Sequence, residues 1–428
     1  VATTIVGSGT LGNMPAATGM SNQAHMIYGV NSARWFVFTC IAGDTTHINL
    51  YVSSSNDLST ASWATIGTGT QSPALNNSKT FTANEGRLFG LDYANIGSTD
   101  VVYLVANSSD TGTGDATQMI RATLTASVGT WGSWISGTNG ASLNAPEGAA
   151  AGISTTSRAW LINSRLTTDR DVAGTVATNT DSGTSWTSGW GTATVIDNSM
   201  ANTVNSSALE QLASGLMLLI ADSGAVTATT TNHIYQKSSS ATAWPANSTL
   251  STIGSAMGTA QNKNDWGSVA VTTSDIHVVR RTGATAFEHR RYNGTSWAAG
   301  NTIPATGLTG HKAASGVFLA TDGTSVWCFI LDTDANNSVR YLKWTSSAWD
   351  ASWSTLSVSD TVAKNNISGW DTVSNNMIGV IWTENASTPF AIMGSQLSLT
   401  AAAQDTPELE GRPYGMRGQN QMQQLLAV

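Results

Sequence analysis

Six times along this chain a tryptophan follows a small polar turn, at intervals of about 55 residues. Trp63, Trp131, Trp186, Trp244, Trp297 and Trp349 close segments reading SNDLSTASW, TASVGTW, TNTDSGTSW, SSSATAW, YNGTSW and TSSAW. A fixed period of this size predicts a repeat architecture. It constrains the scaffold and leaves function to be argued from a site.

The elements before each tryptophan keep one order. A small apolar segment comes first: HMIYG, RLFGL, GAAAGIS, LEQLAS, WGSVAV, SGVFLA and GWDTVS. A strongly apolar run follows: WFVF, VVYLV, AWLIN, LMLLIA, IHVV, VWCFIL and IGVIW. A third, more alternating strand leads into the turn, and a short fourth segment follows the tryptophan. Four strands per repeat predict a seven-bladed β-propeller over residues 1–400. The apolar second strand fits a position between neighbouring blades, where both faces are buried. The seventh repeat lacks a closing tryptophan and a fourth strand. Residues 3–8 are expected to supply that strand and remove the open edge. Residues 401–428 form a short C-terminal extension of different character.

Composition supports an all-β chain, because small β-formers and turn residues dominate. Charged residues make up 11% and hydrophobic ones 40%, with 16 tryptophans, which excludes a disordered composition. The formal net charge of -8 argues against non-specific nucleic-acid binding. No apolar stretch approaches the length of a membrane span. The start, VATTIVGSGTLG, lacks the pattern of a signal peptide. Cys40 and Cys328 sit in apolar runs and read as buried small hydrophobes. The six histidines are scattered, so no metal site and no cofactor are expected.

One turn, Asn179-Thr180-Asp181-Ser182-Gly183-Thr184-Ser185-Trp186, resembles the Asp-box of sialidase-like propellers, with Asn179 in place of the usual Ser or Thr. Ser55-Asn56-Asp57 before Trp63 is a looser echo. In that family the box is a fold element, so the resemblance implies a propeller and not an activity. The catalytic set of the family is an arginine triad, a Tyr–Glu pair and an acidic Asp. Here the Arg-Ile-Pro start motif is absent, Arg87 is the main arginine near an inner strand, and Glu147 and Glu210 lack an assignable tyrosine. The expectation is a non-enzyme with no catalytic residues.

The densest basic patch is Arg280, Arg281, Arg290 and Arg291, on two strands joined by a hairpin. It reads as an anion or acidic-partner site, or as a solvated hairpin end partly neutralised by Glu288; the second reading is preferred. Asp332-Thr333-Asp334-Ala335-Asn336 opens like a calcium loop, but Asn337 and Lys343 occupy the positions of the required Gly and Glu, which leaves a polar β-turn. Trp134, Trp190 and Trp353 follow closing tryptophans and suggest blade packing.

The extension ends GMRGQNQMQQLLAV, with Met422, Leu425 and Leu426 on one face of a short helix. Such tails, like the NGTSW-type turns, look like those of bacteriophage virion proteins. The resemblance implies an arm contacting other virion proteins through Arg412, Tyr414, Arg417, Met422, Leu425 and Leu426. The expected function is a structural virion protein, tail- or capsid-associated, that contacts host surface glycans and neither nucleic acid nor membrane interior. The rivals are a secreted lectin-like propeller and a sialidase-like glycosidase.

Overall fold

The computed structural model describes residues 2–6, 25–39, 49–65, 89–107, 117–126, 129–131, 135–136, 150–164, 172–184, 191, 194–197, 203–223, 232–246, 249–257, 265–313, 315–357, 362–385 and 391–399. Cys40, Arg87, Trp134, Glu147, Trp186, Trp190 and the whole of 401–428, with Arg412, Tyr414, Arg417, Met422, Leu425 and Leu426, lie outside the described residues.

The described elements are all strands, in seven antiparallel sheets. Blade 1 runs Met26–Gly29, Arg34–Thr39, Asn49–Ser53 and Trp63–Thr65. Blade 2 runs Phe89–Ile96, Thr99–Asn107 and Thr117–Leu124, with its outer edge shared by Gly129–Trp131 and Ile135–Ser136. Blade 3 is Ala150–Ile153, Arg158–Ser164, Val172–Thr180 and Thr194–Asp197; blade 4 is Thr203–Leu212, Gly215–Ser223, Asn232–Ser238 and Ser251–Met257. Blade 5 is Trp266–Thr272, Asp275–Arg281, Phe287–Tyr292 and Trp297–Ala299. Blade 6 is Phe318–Thr321, Ser325–Leu331 and Val339–Thr345, edged by Ala348–Trp349 and Ser354–Ser357. Blade 7 is Ala363–Gly369, Met377–Asn385 and Ala391–Ser398, completed by Thr3–Val6.

The N-terminal strand closes the ring in the expected place. Thr3 faces Gly394 and Thr4 faces Met393 in antiparallel register. Without it, Ala391–Ser398 would present an unpaired edge. The turn of blade 1 then locks the same seam: Thr3 Oγ1 donates to Leu58 O at 2.8 Å, and Leu58 N donates to Gln396 Oε1 at 2.7 Å.

The seventh inner strand differs from its expected place. It is Ala363–Gly369, reading AKNNISG, and GWDTVS begins on its last residue and continues into the turn after it. Polar Lys364, Asn365 and Asn366 hide this strand from a search for small apolar residues. The segment bulges between Asn365 and Ser368, with Asn366 at a φ of 47°. Asp371 O and Val373 N then pair with Thr321 of blade 6.

Second strands are buried on both faces, as in Ser325–Leu331, where every residue is buried. Their apolar side chains form layers between adjacent blades. One layer joins blades 3 and 4, another 4 and 5, another 5 and 6, another 6 and 7. The tryptophans belong to these layers. Trp244 of blade 4 meets Trp160 of blade 3 edge-to-face, centroids 5.2 Å apart, over the surface left bare by Gly174. Trp349 and Trp353 of blade 6 pack on His289 and Phe287 of blade 5. Trp297 of blade 5 packs into the layer shared with blade 4. In blades 4, 5 and 6 the closing tryptophan therefore seals a seam with the preceding blade. Buried edge-to-face pairs of this kind add about 1 kcal/mol beyond the area they remove from water.

Candidate functional site

The ring has two unlike ends. At one lie the hairpins that join first to second strands, together with the polar turns that precede each tryptophan. At the other lie the connections between blades and the turns from second to third strands. The sequence-derived candidates divide between them.

At the hairpin end, Asp181 is buried, 4% exposed, and faces blade 2. It accepts from Arg121 Nε at 2.5 Å, from Arg121 Nη2 at 3.0 Å, from the Tyr103 hydroxyl and from Gly183 N at 2.7 Å. Gly183 has a φ of 84°, and a side chain there would strike Ile96 O. Tyr103, Asp181 and Arg121 are a tyrosine, a carboxylate and a guanidinium in contact, the residue types of a glycosidase centre. Their surroundings give them another role. Burial and the Asp181 charge push the Tyr103 hydroxyl well above its ordinary value of 10.0, and Tyr103 is fully buried. The three side chains fasten blade 3 to blade 2.

In blade 5 the four arginines separate onto two faces. Arg280 pairs directly opposite Glu288, and Arg290 opposite Val278. Glu288 accepts from Arg280 Nε and from Arg290 Nε, each at 2.5 Å. On the other face Arg291 forks onto Asp275 at 2.6 and 2.7 Å, and Arg281 meets Asp265 at 3.0 Å. Each arginine thus has a carboxylate within the blade or beside it. The hairpin does not gather them into one patch, because alternation along each strand sends neighbours to opposite faces.

Between the second pair and blade 6 runs a chain of buried rings. The Nδ1 atom of His289 accepts from Asn301 N at 3.0 Å and from Trp349 Nε1 at 3.3 Å. Its proton therefore sits on Nε2, 2.9 Å from His277 Nδ1. The remaining His277 nitrogen, Nε2, lies 3.2 Å from Asp275 Oδ1, off the hydrogen-bond axis. Trp344 of blade 6 covers His277 at 4.5 Å, and Arg291 covers Trp344 at 5.2 Å. Burial, then the charges of His277 and Arg291, hold His289 down at about 3. Asp275 is lowered to about 2: burial opposes this, and the contacts with His277 and Arg291 outweigh it.

At the connector end, blades 5, 6 and 7 carry a further set of charged side chains. Asp265 has no exposure; it meets Arg281 and, at 3.3 Å, His311 Nε2. Burial alone would raise its carboxyl, but His311 and Arg281 bring it below its ordinary value. Asp332 accepts from Gly310 N at 2.8 Å and Arg340 Nε at 3.1 Å, and Arg340 Nη2 reaches Asp334 at 2.9 Å. Asp334 also holds Ser338. The D-x-D-x-N segment is thus a turn organised by Arg340, as the missing Gly and Glu suggest. Lys312 donates to Lys364 O, and Lys364 lies 3.9 Å from Glu384. This set was missed in the sequence because its members come from separate blades, with Glu384 standing 119 positions after Asp265. Glu210 lies toward the hairpin end instead, linking blade 4 to Ser268 Oγ and Ala270 N of blade 5 at 2.6 and 3.0 Å. Among the described residues no three His, Cys, Asp or Glu side chains converge as a metal site.

No protein-family model and no curated protein matches this sequence. Solved structures share its architecture. A polysaccharide lyase, an ulvan lyase bound to -[GlcA(1-4)Rha3S]-, is 11% identical, with 92% of this chain and 95% of that chain covered and a TM-score of 0.57. A lectin from Burkholderia pseudomallei is 12% identical, with 89% and 97% covered and a TM-score of 0.51. A Trypanosoma rangeli sialidase in complex with sialic acid is 10% identical at a TM-score of 0.46; the match covers 92% of this chain and 58% of that one. At such identities the first two establish the seven-bladed fold. The expectation of a non-enzyme is corrected by the same finding. Enzymes and lectins share this architecture, and the fold offers no ground for excluding catalysis.

Proposed function

We propose that this chain is a saccharide-binding β-propeller whose recognition surface is the connector end of blades 5 to 7. The observation that carries the reading is the fixed polar framework there: Asp265 with Arg281 and His311, and Asp332 with Arg340 and Asp334. Side chains held by ion pairs before a ligand arrives lose little freedom when it binds. Saccharides are recognised by such oriented donors and acceptors, with aromatic faces beside them. Phe287, half-buried 5.7 Å from His311, is the aromatic face there. The ulvan lyase and the lectin, both saccharide-handling by name, support the same reading.

The setting we propose is a bacteriophage particle, with residues 401–428 as the arm that contacts other virion proteins and the ring presented to host glycans. A glycan array probed with the full chain and with a chain ending at residue 400 tests both halves. Both chains should bind the same glycans, and only the full chain should join the particle. Silence across the array would refute saccharide binding; particle incorporation of the shortened chain would refute the arm.

A further inference from the structure

The connector end holds one cation whose counter-charge is missing among the described residues. Arg281 is matched by Asp265, Arg340 by Asp332 and Asp334, and Lys364 by Glu384. Among the described residues, the Lys312 ammonium has only the backbone oxygen of Lys364. An ammonium has three N–H donors, so two remain for another partner.

Its position is fixed from both sides. Lys312 N donates to Leu331 O of blade 6, and Ser315 N returns to Lys312 O. The preceding residue is pinned too: His311 N donates to Ala284 O of blade 5. The side chain then crosses to the first inner-strand residues of blade 7 and comes to rest beside Lys364, which has no exposure. Burial first, and the Lys364 charge second, push the Lys312 ammonium below its ordinary value of 10.5. Among the described residues, Lys312 and Lys364 meet at a seam where Glu384 is the carboxylate beside Lys364, and Glu384 also receives Trp382 Nε1 at 3.2 Å. A half-buried cation beside a like charge is destabilised, and an anion placed against it relieves both costs.

We propose that Lys312 is the anion-recognising residue of a subsite for acidic saccharides, taking a uronate carboxylate or a sulfate ester at the seam of blades 6 and 7. The inference rests on the saccharide-binding reading above and sharpens it by naming the class of sugar. Polyanionic nucleic acid is disfavoured as the ligand by the net charge of -8. A saccharide brings one anionic group together with hydroxyls for the neighbouring fixed donors and acceptors.

The test is calorimetric titration of the full chain with oligogalacturonate, a sulfated galactan, neutral dextran, neutral galactan and sodium sulfate. Lys312→Met keeps the apolar stem and removes the charge; Lys312→Arg keeps the charge. We expect an acidic saccharide to bind, Lys312→Met to weaken it about tenfold or more, and Lys312→Arg to retain most of the affinity, because a charged hydrogen bond is being lost or kept. Thermal midpoints should stay together across the three proteins. Equal binding of the acidic saccharide by Lys312→Met overturns the proposal, as does a preference for the neutral glycans. Sodium sulfate binding as tightly as the saccharide would reduce the site to a simple anion site and overturn it as well. A marked fall in the Lys312→Met midpoint would assign Lys312 to the seam instead. Failure of every saccharide to bind would remove the wider reading along with it.

Discussion

The hairpin end and the connector end of this ring use the same kinds of residue for different purposes. At the hairpin end Asp57, Asp181, Trp244 and Trp349 each come from a short turn and reach the blade before their own. The partners are buried strands, and the contacts hold the ring together. At the connector end Asp265, His311 and Lys312 also cross seams, while Arg340 stays within blade 6, and the set includes a cation that lacks its counter-charge among the described residues. The lesson is that a polar group in a propeller must be weighed by what lies on its far side. An aspartate facing a buried tyrosine and arginine is a fastener, and a lysine facing a like charge points to a ligand.

This contrast can be broken by experiment, and the largest effect is expected at the hairpin end. Trp244→Ala leaves a void between blades 3 and 4, against Trp160 and above Gly174. It should cost about 3–5 kcal/mol, as large core truncations do, in denaturant unfolding of the otherwise intact protein. A loss under about 1 kcal/mol would show that the seam does not depend on the closing tryptophan.

Acid is the next probe. His289 ordinarily titrates near 6.5 but sits at about 3 in the fold. Its contribution is complete above pH 6.5 and is lost progressively as the pH falls toward 3. The unfolded chain takes up the proton first, so the fold is penalised. The linked effect is about 5 kcal/mol at about 1.4 kcal/mol per pH unit. His289→Phe should flatten the stability profile over that range, and an unchanged slope would break the ring-chain account of blades 5 and 6.

Smaller, and still at the hairpin end, is Asp181→Asn. It leaves Arg121 without its carboxylate and weakens the Tyr103 contact. A loss of about 3 kcal/mol follows from breaking a buried pair on one side, and Arg121→Met in the same background should recover part of it. If the double variant is no better than the single one, Asp181 acts through its turn alone. In contrast, Lys312→Met at the connector end should scarcely move stability while changing affinity.

Much of the scaffold was legible because it repeats. Period, strand order and apolar second strands are local patterns, and a local pattern survives without knowledge of the partner. The seventh inner strand was not legible in the same way. Lys364, Asn365 and Asn366 look like a loop, yet Lys364 and Asn365 pair with Glu384 and Thr383 of their own blade and Ile367 N donates to Ser315 O of blade 6. How the basic residues divide was hidden for a related reason. Arg280 and Arg281 are neighbours in sequence and occupy opposite faces of one strand, each with its own acid.

What the sequence alone determined was a seven-fold repeat of four strands, closed by its first residues, with tryptophans set at the turns. Those features depend on spacing and hydrophobic pattern, which the chain carries locally. The tertiary structure decided which charges cancel. Glu288 takes two arginines, Asp265 takes Arg281 and His311, and Lys312 reaches across a seam to a lysine. Coulomb energies vary with distance and burial rather than with position along the chain, so only the closed ring could single out Lys312.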